Sequence, residues 1–284
     1  MAPATLNCRS IRFEQRENAA VDISQLDMLP LLLGAISGML VGFTLGLVGG
    51  GGSILAVPLL VYLVGVPQPH IAIGTAAFAV AANAAIGLAN HARAGNVRWP
   101  CGFTFAAAGV VGAFGGSVVG KAMDGQLLLL LFALLMLGIA TMMLRKRDNV
   151  GDPTVHISRE NAPRLVAFGA GSGALSGFFG IGGGFLIVPG LIAATGMPMI
   201  NAVGTSLVAV TAFGLTTAIS YAGSGLVDWP LAILFIIGGA AGSGAGMAAA
   251  RRLSTKTGRL NTVFAVMVIG IALFMLWKSA NAFF

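Results

Sequence analysis

Read for polarity alone, the chain is a series of apolar runs separated by short polar links. Ten runs stand out, near 29–48, 53–64, 70–91, 98–120 and 126–144, then near 164–180, 184–196, 200–222, 229–250 and 259–278. Most approach the ~20 residues that cross a hydrocarbon core as a helix. They are rich in Leu, Ala and Gly and lack the strict alternation of barrel strands. A bilayer admits only helices or closed barrels as spanning structures, so the pattern predicts an all-α polytopic membrane protein. The second run of each set of five has about a dozen residues, too few to cross straight.

These short runs follow the most unusual stretches of the chain. "GLVGGGGSILAVP" at 46–58 and "GFFGIGGGFLIVP" at 177–189 set consecutive glycines inside apolar sequence. Glycine costs about 1 kcal/mol against alanine in a helix interior, so each run predicts a helix break. Residues 29–64 as one continuous helix would extend roughly 54 Å. A reversal at the glycines is expected instead, the pair either entering and returning on one side or crossing twice obliquely.

The two stretches belong to a longer duplication. "AIGTAA" at 72–77 is answered by "AVGTSL" at 202–207, and "AGNVRWP" at 94–100 by "SGLVDWP" at 224–230. Gly112 and Gly116 are answered by Gly242 and Gly246, and "GIATMML" at 138–144 by "GIALFML" at 270–276. The offset stays between 130 and 132 throughout. The chain therefore divides into a polar tail (1–27), a first membrane repeat (28–144), a linker (145–163) and a second repeat (164–284). The tail lacks the basic start and short apolar core of a secretory signal and is expected to be disordered or to lie on a surface. Met28, immediately before the first run, offers a second place for the chain to start.

Charge sets the orientation. The linker region holds Arg145, Lys146, Arg147, Arg159 and Arg164, which predicts a cytoplasmic position. Each repeat carries an odd number of crossings, so a tandem copy is inserted upside down. Counting outwards, the links with Arg93 and Arg98 and with Arg251, Arg252, Lys256 and Arg259 then also fall inside. The links at 121–126 and around Asp228 fall outside. A parallel arrangement would export the second basic cluster. Two inverted-topology repeats of five helical segments, each with a glycine-broken short helix, are expected, an architecture common among secondary transporters.

Composition narrows the function. Of 284 residues, 57% are hydrophobic and only 9% charged, against about 25% charged in soluble domains. The net charge of +7 is accounted for by the basic links, so no nucleic-acid partner is implied. Cys8 and Cys101 form neither a metal spacing nor a disulfide framework, and no cofactor or metal is called for. No Asp, Glu, Lys or Arg falls deep within a run, which argues against a carboxylate relay.

The breaks suggest a ligand. Short helices starting near Ser53 and Gly184 would aim their N–H groups and positive dipole ends into the break, which favours an anion without a cationic side chain. Inversion is expected to bring the two breaks towards each other near the midplane. The candidate binding residues are Gly49, Gly50, Gly51, Gly52 and Ser53 from the first break and Gly182, Gly183 and Gly184 from the second. Thr75, Asn83, Thr205 and Ser206 are the polar residues expected to face them. Asn83 has Phe213 as its counterpart, so the site is expected to be asymmetric. Each hydroxyl could instead bond its own helix carbonyl. Arg93 reads as a topology charge. Glycines four apart (Gly34, Gly38, Gly42, Gly46; Gly169, Gly173, Gly177; Gly112, Gly116, Gly120) read as helix-packing positions. An uncoupled anion leaving a cell that is negative inside gains roughly 2.3 kcal/mol per charge at 100 mV, so export is the expected direction.

Both glycine stretches ending in Val-Pro, with the pairs at Gly74-Thr75 and Gly204-Thr205 and the two Trp-Pro pairs, resemble the paired motif of the sulfite exporter TauE/SafE family of membrane permeases. The resemblance covers about residues 29–278. It implies an inner-membrane carrier of sulfite, thiosulfate or organosulfonates such as sulfoacetate, with the lipid bilayer and a small anion as its partners. An anion channel, a carboxylate carrier and a scaffold subunit remain as alternatives, and a homo-oligomer is left open. An intramembrane hydrolase is disfavoured: "AGSG" at 170–173 places Ser172 with no histidine after it, and His70, His91 and His156 all lie in or beside links. No enzymatic activity is expected.

Overall fold

A computed structural model describes residues 28–145, 161–180, 184–253, 266 and 268–278. Its longer α-helices are α1 Met28–Val48, α2 Pro69–Arg93, α3 Trp99–Ala122, α4 Gly125–Arg145, α5 Ala162–Phe179, α6 Gly184–Thr195, α7 Met199–Ala222, α8 Trp229–Leu253 and α9 Val268–Lys278. No strand occurs among the described residues. Five stretches are long and apolar enough to cross a membrane: Leu29–Val48, Pro69–Arg93, Trp99–Ala122, Met199–Ala222 and Trp229–Ala249. The fold is therefore an all-α polytopic membrane bundle, and its helices fall within a few residues of the runs read from polarity. The polar tail, most of the linker and residues 254–265 lie outside the described residues.

Between α1 and α2 the chain winds in three ways in succession. Gly49–Leu55 is a 3-10 helix, Ala56–Pro58 a single α-turn, and Leu59–Val64 a wider π-wound stretch. Residues 49–64 are called the first return segment below. Pro58 lacks an N–H and cannot continue the α ladder, which fits a change of winding at this point. Its counterpart in α6 is Pro189, inside that helix.

The reversal at the glycines is present. Gly52 presses on the backbone of Thr44 and Leu45, where a Cβ has no room. The chain has thus doubled back on α1 within eight residues. The Thr44 hydroxyl lies 2.9 Å from the Val41 carbonyl and 3.4 Å from that of Gly52. The break itself is narrower than the run of glycines suggests. Only Gly49 takes a left-handed conformation, at φ 71°, and the glycines after it are wound.

Pairing between the halves is reciprocal. α1 packs along α8 and α5 along α3. In the first seam Gly34 meets Leu231, Gly38 meets Phe235, Gly42 meets Gly239 and Gly46 meets Ser243. In the second, Gly169 meets Phe105, Gly173 meets Gly109 and Gly177 meets Ala113. Numbers rise together on both sides, so each pair runs parallel. Backbones approach this closely because the four-spaced glycines present no side chain, as the sequence suggested. Each Cα–H···O contact so permitted adds about 0.5–1 kcal/mol.

The core lies between the seams. α2 and α7 are the most buried spans, and they cross antiparallel: Gly74 meets Tyr221, Gly214 meets Ala77 and Ala81, and Gly87 meets Leu207. This one pair of equivalent helices thus runs in opposite directions. Large apolar side chains such as Phe103, Val111 and Phe114 of α3 and Ile233 and Ile237 of α8 face outward, as a lipid-facing surface requires. Six glycines have positive φ among the described residues, and they form three repeat-equivalent pairs: Gly49 with Gly180, Gly65 with Gly196, and Gly95 with Gly225.

Candidate functional site

The two glycine stops are each docked on the other half. Gly49 ends α1 and packs on Val203 of α7, while Gly180 ends α5 at φ 67° and packs on Ile73 of α2. Because α2 and α7 are antiparallel, these contacts fall toward opposite ends of the core. Gly42 and Gly239 meet at the level of Asn83, and seven further residues of helix place Gly49 about 10 Å beyond that level. The same count runs from Gly173 to Gly180 on the other side. The stops themselves are therefore roughly 20 Å apart along the bundle. What comes together is the chain after them, since the 3-10 part of the first return segment packs against α6.

The site residues read from sequence divide into groups. Gly50, Gly51 and Gly52 are wound into the 3-10 turn, whose leading N–H groups lack carbonyl partners within that turn. Ser53 is fully buried in the same turn. Gly184 opens α6. Gly182 and Gly183 lie outside the described residues.

Thr75 and Thr205 are occupied in a way the sequence did not reveal. Thr75 Oγ1 accepts the backbone N–H of Asp228 at 2.9 Å, and Thr205 Oγ1 accepts that of Arg98 at 2.9 Å. Beside them, Gly74 admits the carbonyl of Leu226, and Gly204 lies against the backbone of Asn96. Each Gly-Thr pair is thus a clamp for the link before the Trp-Pro pair of the opposite half. Ser206 donates to the Val203 carbonyl at 2.7 Å, the local bond anticipated for helical hydroxyls.

Asn83 is different. It is completely buried, and neither its amide nitrogen nor its amide oxygen has a hydrogen-bond partner. It fills the space in front of Gly239. Its counterpart Phe213 fills the space in front of Gly109, stacked on Phe105 at a ring separation of 6.3 Å. One pocket of the seam thus takes a carboxamide and the mirrored one an aromatic ring. A buried polar group left unpaired costs about 1–3 kcal/mol.

Sequence reasoning missed further interior groups. The hydroxyls of Ser37, Ser176, Thr217, Ser243 and Tyr221 are buried without partners. Their residue types carry no positional signal, because helical Ser and Thr ordinarily bond the preceding turn. All are neutral. Among the described residues no Asp, Glu, Lys or Arg is buried, and no group of His, Cys, Asp or Glu could hold a metal ion.

Among the described residues, charged side chains such as Arg93, Arg98, Lys121, Asp124 and Asp228 lie at helix ends. Lys121 Nζ donates to the Ser220 carbonyl at 3.0 Å and to Ser224 Oγ at 3.1 Å, and lies 5.8 Å from the Tyr221 ring centroid. This joins the 121–124 link to the link before Asp228, and sequence assigned both to the outer face. At the other end Asn201 Nδ2 donates to the Asn96 carbonyl at 3.3 Å.

A lipid-facing helical bundle with an uncharged polar interior, built from reciprocally docked halves, has the architecture of a polytopic membrane transporter. Comparison places it further: the model of the sulfite exporter TauE/SafE family matches residues 34–275, and the chain belongs to that family. It is 53% identical over 244 residues to a "Probable membrane transporter protein" of Xylella fastidiosa strain 9a5c, covering 86% of this chain and 94% of that one. A similarly described protein of Methanocaldococcus jannaschii is 29% identical over 265 residues, covering 88% and 96% of the two chains. One from Bacillus subtilis is 30% identical over 206 residues, covering 70% and 82%. No solved structure matches the chain.

Proposed function

We propose that this transporter carries small sulfur-containing oxyanions, such as sulfite, thiosulfate or organosulfonates, outward across the inner membrane. The observation that carries this reading is the chemistry of the interior. Its buried unpaired amide and hydroxyls, those of Asn83, Ser37, Ser176, Thr217, Ser243 and Tyr221, are neutral hydrogen-bonding groups, with no buried acid among the described residues to repel an anion. The family's description supplies the sulfur chemistry. With no buried carboxylate among the described residues, the membrane potential is the available drive, and it favours exit of an anion.

We also infer that the two halves insert in opposite orientations. The antiparallel crossing of α2 and α7 and the distribution of basic links support this reading. The short segments after the glycine stops then supply main-chain N–H groups from both sides of the core.

Purified protein in liposomes tests the proposal. Flux of sulfite, thiosulfate and sulfoacetate should saturate and should be stimulated by the same anion on the far side, with carboxylates and taurine as comparisons. Transport of carboxylates alone would overturn the substrate class. An unsaturated ohmic current would establish a channel instead.

A further inference from the structure

We propose that Asn83 is the side chain that hydrogen-bonds the carried anion, and that Phe213 restricts the protein to one such site. The inference rests on the anion-carrier reading above and assigns the contact within it. Asn83 lies where α2 and α7 cross, at the centre of the reciprocal arrangement. Gly87 meets Leu207 on one side of that level, and Gly74 meets Tyr221 on the other.

A primary amide at such depth would ordinarily be matched to a carbonyl or hydroxyl, because water cannot reach it. Here both amide atoms are unmatched and completely buried. On the seam beside it lies Gly239, which meets Gly42 and has no side chain. A shift of α2 away from Gly239 uncovers the amide. The NH2 group then presents two donors, suited to an ion whose oxygens are all acceptors. Being uncharged, the amide holds the anion without trapping it, as a carrier requires.

The mirrored pocket cannot act in the same way. Phe213 fills it against Gly109 and stacks on Phe105, so an apolar ring stands where a second donor would be. Reciprocal halves would otherwise build two equal sites. This pair of residues leaves one.

The test uses full-length protein in liposomes and in detergent, with sulfite, thiosulfate and sulfoacetate as probes. Asn83→Leu keeps the branched shape and the number of heavy atoms and removes the donors. It should raise KM at least tenfold for the transported anion, and abolish the anion-dependent rise in melting temperature, while the ligand-free protein melts no lower. Asn83→Thr, which keeps one donor, should fall between it and the parent, and it serves if Asn83→Leu does not fold. Phe213→Leu should leave KM within twofold, and calorimetry should give one anion per chain. An unchanged KM in Asn83→Leu or Asn83→Thr, or an equal rise in Phe213→Leu, overturns this assignment while the carrier reading stands. A parent protein that carries none of the three anions overturns the carrier reading and this assignment with it.

Discussion

The hydroxyl oxygen of Thr75 accepts the backbone N–H of Asp228 at 2.9 Å, across 153 positions of sequence. Thr205 does the same for Arg98, so two bonds of one kind tie each half to the link of the other. Thr75→Val and Thr205→Val keep the side-chain shape and leave that N–H without its acceptor, at a cost of about 1–3 kcal/mol each. Serine at either position restores the acceptor and should recover most of the loss. Melting of the detergent-solubilised variants measures both effects. Equal stability of the valine and serine variants would show that packing, not the bond, fixes these links.

Glycines of the seams should separate sharply from glycines on open faces. A Cβ on Gly42 or Gly173 runs into the carbonyl of Gly239 or Gly109, whereas Gly115, Gly171 and Gly244 have nothing nearby. Gly42→Ala and Gly173→Ala should each destabilise by about 1–3 kcal/mol or more through overpacking. Alanine at the three open positions should be neutral or stabilising by up to about 1 kcal/mol. Folded yield and melting temperature across the five variants give the comparison.

The left-handed glycines offer a finer test. Gly49 and Gly95 share nearly the same φ, 71° and 72°, but only Gly49 is enclosed, by Val203. Asparagine tolerates this conformation better than other side chains. Gly95→Asn should therefore fold with little loss, while Gly49→Asn should fail to close the first return segment. Limited proteolysis reports on both.

Orientation can be read by labelling. Cysteine introduced at Asp124 or Ser224 should react with an impermeant reagent from outside intact cells, and cysteine at Gly95 only after the membrane is opened. Cys8 is replaced first, and Cys101 is buried. Reaction of the cysteines at Gly95 and Ser224 from the same side would contradict the opposite insertion of the halves.

Uncoupled export makes a quantitative prediction about the membrane potential. At 100 mV, inside negative, a monovalent anion should distribute about 50-fold in favour of the outside, the ratio that corresponds to 2.3 kcal/mol. Reversing a potassium-diffusion potential in liposomes should reverse the flux. A flux indifferent to the potential would require coupling to another ion.

Much of this architecture is legible in the chain because apolar length and four-spaced glycines are local signals. Gly34 to Gly46 announce a close-packed helix face in any context, and the structure places α8 on that face. The partner is not legible, since nothing local says that α1 pairs with α8 rather than with a helix of its own half. The same limit applies at Thr75. A threonine in an apolar run shows no sign of a loop that arrives 153 residues later, so sequence offers it as a ligand contact and the structure gives it to Asp228. Asn83 is legible as unusual, because an amide in that position must be matched or used. Its lack of a partner emerges only in three dimensions. The glycine run overstates the break: Gly49 alone turns the chain, and its successors wind because the reversal presses Gly52 against Thr44.

The exchange of α1 and α8 between halves also dictates an order of assembly. When α1 leaves the ribosome, the helix that will cover its glycine face is some 190 residues from being made. Until then that face must rest against lipid or a chaperone. A product terminated after the first half would keep α1 and α3 without their mates, and quality-control proteases would meet it as an unfinished protein. Separate synthesis of the two halves should succeed only when both are made together, so that each supplies the helix the other lacks.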